Sequence, residues 1–375
     1  MENSDSGSCR RKTACANRGG KGHYPAQPMN TFIRKSVEEL QAYTPGEQPK
    51  VEGLIKLNTN ENPYPPSPAV ARALKSTPVD SLRFYPDPVC SALRERIAAI
   101  NGCSPDQVFV GNGSDEVLRL CMRAFTQPGG SVASFEPSYS LYPVLAASEE
   151  LDYMEVPLKE DFTWFDPPDE LAASVFFLAN PNAPTGVVYP EATLQAFSER
   201  FSGVVVLDEA YIDFAEGDNS WIWAQNRKNV LLCRTLSKSF SLAGIRLGYA
   251  IGSTGLIDAL YKLKDSYNVD CLAQTIALAA LEDIEWMQDN VRRIVTTRKR
   301  VVMELEKRGF RMVPSGANFL FVEPPSGQPA ADLFESLQAQ KILVRYFPEG
   351  RTGSYLRVSI GTDAEMDAFL CAVST

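Results

Sequence analysis

Residues 234–249 read RTLSKSFSLAGIRLGY. One lysine, Lys238, stands among the hydroxyls of Thr235, Ser237, Ser239 and Ser241, and Arg246 follows eight residues later. The stretch comes directly after the apolar run Val230-Leu231-Leu232-Cys233, which reads as the end of a buried strand. A lysine at a strand end is a candidate Schiff-base nucleophile, because partial burial disfavours the ammonium and frees the amine. The hydroxyls and Arg246 suit a phosphate dianion beside it. An amine next to a phosphate cradle is what pyridoxal 5'-phosphate requires. Read alone, the same stretch is also a solvated basic loop, since Lys and Arg are mostly exposed.

Around this stretch, 375 residues are too many for one compact core, so two domains of ordinary size are expected. Hydrophobic residues make up 44% and charged residues 22%, the balance of a soluble globular protein. A net charge of −9 argues against nucleic acid or an anionic membrane as the main partner. No apolar run approaches the roughly 18 residues of a membrane span. The eight cysteines are scattered without a C-x-x-C pair, and His23 is the single histidine, so no metal site is expected. Dispersed thiols in a large chain fit a reducing cytoplasm.

Residues 1–28 carry Ser, Gly, Asn and five basic residues with no apolar centre, so a secretory signal is excluded and a disordered, dispensable tail over 1–29 is expected. Met29 offers an alternative start. Ser36 with Glu39 reads as a capping box for a helix over 36–43. Leu54–Leu57 is a short strand leading into Asn58-Thr-Asn-Glu-Asn62, and a Pro-rich stretch ends where a helix begins, at Pro68 or Ala69. From Val108 onward strands alternate with helices, and Ser174–Ala179 is apolar almost throughout, as a strand buried on both faces would be. The pattern predicts a large α/β domain built on a mostly parallel sheet. Ligands on such sheets lie beyond the carboxyl ends of the strands. The last hundred residues read as a smaller α+β domain, joined by the N-terminal segment. The expected boundaries are 58–274 for the large domain, with 30–57 and 275–375 together forming the small one.

Four strand ends carry polar groups. Gly111-Asn-Gly-Ser-Asp-Glu116 lies between a strand and a helix, where glycine lets backbone amides approach a phosphate. Asn180-Pro-Asn-Ala-Pro-Thr-Gly186 is a double turn. Asp208-Glu-Ala-Tyr211 follows an apolar strand, and a carboxylate buried there needs a partner. A protonated pyridine nitrogen is such a partner. Lys238 is the fourth. Each is ambiguous alone; the four in order are not.

With these motifs, and with NTNENPYPP (58–66), RFYPDP (83–88), EPSYSLY (136–142) and YLRVSIGT (355–362), the chain over about 30–375 resembles the fold type I pyridoxal-phosphate-dependent aminotransferases, and within them the histidinol-phosphate aminotransferase group. The resemblance implies a Schiff base on Lys238, which then shuttles a proton. It implies Asp208 on the pyridine nitrogen, Tyr211 on the ring oxygen and Tyr139 stacked on the ring. Gly113, Ser114, Asp115, Ser237 and Arg246 would surround the phosphate, with Tyr85 reaching it from the partner subunit of a homodimer. Arg357 would grip the substrate's anionic group, helped by Arg345, Tyr43 and Asn60.

One position departs from the family pattern. Asn usually precedes Pro-Thr-Gly there; this chain has Ala183, and Asn182 is the nearest replacement. Histidinol phosphate has no carboxylate and glutamate has two, yet one arginine fork binds phosphate or carboxylate alike. A ping-pong cycle between histidinol phosphate and 2-oxoglutarate therefore needs only one anion site. The competing readings are an aromatic or broad-specificity aminotransferase, a decarboxylase of a phosphorylated amino acid, and a catalytically silent cofactor-binding regulator.

Overall fold

The computed structural model describes residues 10–12, 32–44, 46–168, 170–217 and 220–374. The expected tail over 1–29 therefore falls outside the described residues, apart from Arg10–Lys12. Eight strands form the large sheet: β1 (Arg10–Lys12), β2 (Val108–Gly111), β3 (Ser131–Glu136), β4 (Asp152–Pro157), β5 (Val175–Ala179), β6 (Val204–Asp208), β7 (Val230–Thr235) and β8 (Gly248–Gly252). Their order is β1-β4-β3-β5-β6-β7-β8-β2. Strands β4, β3, β5, β6 and β7 pair in parallel, whereas β8 runs antiparallel to both β7 and β2. Two reversals restore direction, so β2 points the same way as β7. The carboxyl ends of β2, β3, β5, β6 and β7 consequently share one edge.

Alternation along β5 explains why this sheet is central. Val175 and Phe177 face one apolar cluster, with Val117, Tyr142 and Leu231. Phe176 and Leu178 face the other, with Leu207, Leu232 and Phe197. A strand that must satisfy both faces has no room for polar side chains until it ends, which is why the polar groups gather beyond its carboxyl terminus.

The smaller domain holds a four-stranded antiparallel sheet, Arg311–Met312, Phe319–Glu323, Leu356–Ser359 and Arg345–Tyr346 in spatial order. Ile294, Val301 and Leu305 of the long helix Ile284–Lys307 pack into its core with Leu320, Leu356 and Val358. Ile55–Lys56 pairs in parallel with Ile342–Leu343, which fastens the N-terminal segment here. The last helix, Asp363–Ala372, opens with a full capping box between Thr362 and Glu365.

One local expectation changes. The helix expected over 36–43 is a single turn, Lys35–Glu38, and Ser36 does not cap it; its hydroxyl donates to Glu150 Oε1 at 2.5 Å. The helix after β3 begins at Leu141. That leaves Tyr139 in the loop beyond β3.

Candidate active site

A cavity opens at the shared carboxyl edge, and both Lys238 and Asp208 line it. Each neighbouring strand end contributes: Ser114 and Asp115 after β2, Ser138 and Tyr139 after β3, Ala183 after β5, Tyr211 after β6, and Thr235 and Ser237 with β7. The opposite wall comes from Tyr43, Gln48, Asn58–Asn60, Arg345, Phe347 and Arg357.

Asp208 is the last residue of β6 and is buried. Its Oδ2 accepts a 2.7 Å hydrogen bond from the Tyr142 hydroxyl and its Oδ1 accepts from the Ala210 amide at 3.3 Å. Burial pushes its carboxyl up to about 6, with the Tyr142 bond pulling the other way. A cationic partner is thus the missing element, and a protonated ring nitrogen supplies one.

The phosphate end lies at the start of the helix Ser114–Phe125. Gly113 precedes it with φ +82°, and a Cβ there would sit 2.7 Å from Arg246 Nη2. Only glycine lets the guanidinium close in. Arg246 itself adopts φ +54°, pairs with Asp115 Oδ2 at 3.0 Å and reaches Ser237 Oγ at 3.5 Å. The helix N-terminus, the Arg246 guanidinium and the Ser237 hydroxyl therefore stand together at one end of the cavity, as a dianion requires.

At the middle of the cavity Lys238 Nζ donates to the Thr59 carbonyl at 3.2 Å and lies 5.7 Å from the centroid of the Tyr211 ring. Tyr211 Oη accepts from Asn60 Nδ2 at 3.0 Å, which leaves its own proton free to point into the cavity. Asn60 is fixed in turn: Ser359 Oγ donates to its Oδ1 at 3.0 Å, and Asn318 Nδ2 donates to its carbonyl at 3.0 Å. The Tyr139 ring meets Tyr43 and Tyr142 edge-on, and burial pushes its hydroxyl well above the usual range.

Arg357 closes the far wall. It is opposite Arg345 across two adjacent strands. Its Nη2 donates to the Asn58 carbonyl at 2.9 Å, while its buried Nε has no hydrogen-bond partner. Burial lowers its pKa, and neighbouring Arg345 adds to that. Two guanidiniums at one wall, one holding an unanswered donor, call for an anion. The arrangement as a whole fits pyridoxal 5'-phosphate: the amine follows β7, the acid ends β6 and the ring-oxygen donor follows it, and the phosphate cradle lies between the ends of β2 and β7.

Two expected residues lie elsewhere. Asn182 does not line the cavity; its Nδ2 donates to the Pro137 carbonyl and Thr185 Oγ1, and its Oδ1 accepts from Ser138 Oγ, each at 3.0 Å. Both N–H groups of that amide are thus taken, one by its own turn and one by the loop after β3, which leaves no donor for a ring oxygen. Tyr85 is 80% exposed and stacks on Tyr267 with ring centroids 4.4 Å apart, away from the cavity of its own chain. Tyr142, Gln48 and Phe347 were not marked by the sequence reading. Tyr142 stands within the quoted EPSYSLY stretch, but its partner Asp208 lies 66 residues further on. Among the described residues no group of three or more His, Cys, Asp and Glu could hold a metal ion, and no helix is long and apolar enough to cross a membrane.

The family model for aminotransferase class I and II matches residues 52–373. The chain belongs to the class I and II aminotransferases. A histidinol-phosphate aminotransferase from Clostridium botulinum (strain Kyoto / Type A2) is 42% identical over 346 residues, 91% of this chain and 97% of that protein. Histidinol-phosphate aminotransferase 1 from Trichormus variabilis is 42% identical over 341 residues, covering 90% and 96%. The crystal structure of histidinol-phosphate aminotransferase from Sinorhizobium meliloti in complex with pyridoxal 5'-phosphate superposes with a TM-score of 0.78 at 26% identity, over 85% of this aminotransferase and 89% of that one. The large α/β/α domain with its smaller companion is the fold type I architecture.

Proposed function

We propose that this aminotransferase moves an amino group between histidinol phosphate and 2-oxoglutarate, with pyridoxal 5'-phosphate as cofactor. The observation that carries the anion site is Arg357, whose buried Nε lacks a partner beside Arg345, and the choice of histidinol phosphate rests on the relatives. The relatives that are 42% identical, all but the length of this chain, carry the same activity in their names.

The cofactor, when bound, supplies an aldehyde for the amine and a ring that withdraws electrons from the substrate carbon. The remaining work belongs to the chain. Asp208, buried and ionised against a cation, keeps the proton on the ring nitrogen. Tyr211, oriented by Asn60, donates to the ring oxygen, a task that neither Ala183 nor Asn182 performs. Lys238 Nζ takes the proton from the substrate carbon bearing nitrogen and returns it on the other side of the exchange. Arg357 and Arg345 hold the substrate's phosphate in one half of the cycle and a carboxylate in the other. Tyr43, Tyr139 and Phe347 wall the cavity with rings against which a flat imidazole packs.

The active unit we propose is a homodimer in the cytoplasm. Val79, Leu82, Phe84 and Tyr85 form an exposed apolar stretch beside Tyr267, an unusual amount of bare surface for a chain acting alone. Tyr85 would complete the partner's phosphate site.

Amino transfer to 2-oxoglutarate from histidinol phosphate, measured against transfer from phenylalanine, tests the substrate. Preference for histidinol phosphate in kcat/KM supports the proposal. Equal or better use of phenylalanine replaces it with an aromatic aminotransferase.

A further inference from the structure

The segment Asn58–Asn62 runs from the wall that holds Arg357 to the lysine turn. Asn58 offers its carbonyl to Arg357, Thr59 offers its carbonyl to Lys238 Nζ, and Asn60 orients Tyr211. Glu61 pairs with Lys56, whose Nζ also donates to Thr59 Oγ1 at 2.8 Å. Asn62 does not line the cavity and takes no part in the chemistry described above.

Its side chain is nevertheless fully engaged. Nδ2 donates to the Lys238 carbonyl at 3.1 Å and to the Ser239 carbonyl at 3.0 Å, while Oδ1 accepts from the Tyr64 amide at 3.0 Å. A carboxamide has two N–H donors, and two successive carbonyls of the lysine turn take both. On the other side of that turn Ser239 Oγ donates to Asp213 Oδ2 at 2.5 Å. The lysine is therefore held at both ends by one short segment: Asn62 holds its backbone and Thr59 its amine.

We propose that Asn62 is a positioning residue for Lys238, setting the point from which the amine swings between substrate and cofactor. The inference rests on the reading of Lys238 as the nucleophile. A lysine side chain has four rotatable bonds, so where its amine falls depends on how firmly its root is fixed. A displacement of about 1 Å costs a proton transfer on the order of a hundredfold. The bracket also couples the two walls, because the segment that receives Arg357 is the one that grips the lysine turn.

Asn62→Asp keeps the shape but sets a carboxylate against two carbonyl oxygens; Asn62→Ala removes the bracket with no new charge. Both are to be loaded with pyridoxal 5'-phosphate and compared with wild type and Lys238→Ala. Three readouts separate positioning from general damage: the visible absorbance that needs Lys238, the isotope effect with Cα-deuterated glutamate, and the affinity for pyridoxamine 5'-phosphate, which cannot join the lysine. The proposal expects transfer slowed by about tenfold or more in both variants. It also expects a larger isotope effect, a shifted pH midpoint of the visible band, and pyridoxamine 5'-phosphate affinity near wild type, with Tm lowered by no more than the lost hydrogen bonds explain. Unchanged rate and isotope effect in Asn62→Ala overturn it, as does a loss of rate that merely follows a loss of Tm or of pyridoxamine 5'-phosphate affinity. A visible band retained in Lys238→Ala overturns the nucleophile itself, whatever Asn62 does.

Discussion

The hydroxyl of Tyr142 donates a 2.7 Å hydrogen bond to Oδ2 of Asp208, and both groups are buried. Tyr142 is held there by stacking on Phe177 at 5.2 Å, so the donor is aimed before any ligand arrives. In Tyr142→Phe the ring keeps its packing while one carboxylate oxygen loses its partner. Unfolding of the cofactor-free protein by urea should show a loss of about 1–3 kcal/mol at neutral pH. Stability equal to wild type would remove Tyr142 from the support of Asp208.

Asp208 also makes stability depend on pH. Its folded carboxyl titrates at about 6, above the ordinary value of 3.8. The folded state thus binds the extra proton between those two values. The stability linked to it is complete below the ordinary value and is lost as pH rises through about 6. Cofactor-free Asp208→Asn should therefore be more stable than wild type at pH 7.5 and lose that advantage near pH 4. Urea midpoints at both pH values check this; a constant difference would contradict it.

Arg357→Lys keeps the charge and loses the planar fork. A buried lysine also gives up its proton readily, so the anion site weakens twice over. We expect kcat/KM for histidinol phosphate to fall by about a hundredfold, well beyond what a displaced charge explains. Kinetics unchanged by this substitution would take Arg357 out of the site.

Gly113→Ala places a methyl 2.7 Å from Arg246 Nη2 at a φ of +82°. Something has to move, and the guanidinium is the part that can. Pyridoxamine 5'-phosphate binding should weaken by about tenfold or more, because the lost contact is charge-assisted. Binding at wild-type strength would mean that Arg246 does not serve the phosphate.

Much of this was legible in the chain because the parallel sheet sorts polar from apolar by position. Strands such as Val175–Ala179 leave no place for chemistry except their ends, so Asp208, Lys238 and the glycines before Ser114 stand out. What lay hidden depends on contacts between distant segments. Gln48 and Phe347 reach the cavity from stretches separated by about three hundred residues, with no local pattern to mark them. Tyr142 stood within EPSYSLY without a role, because nothing local shows that its hydroxyl meets Asp208, 66 residues away. Asn182 is the opposite case, since an amide beside Ala183 is a natural replacement until its hydrogen bonds to Pro137, Ser138 and Thr185 are seen. The one-turn helix Lys35–Glu38 shows the limit of capping patterns, because Ser36 found a partner in Glu150 rather than in its own backbone.

Borohydride treatment of the cofactor-loaded enzyme, followed by peptide mass mapping, puts the central claim to its most direct test. The account predicts one cofactor fixed on the peptide that contains Lys238, and none in Lys238→Ala. A cofactor fixed to any other lysine, or to none, would contradict it.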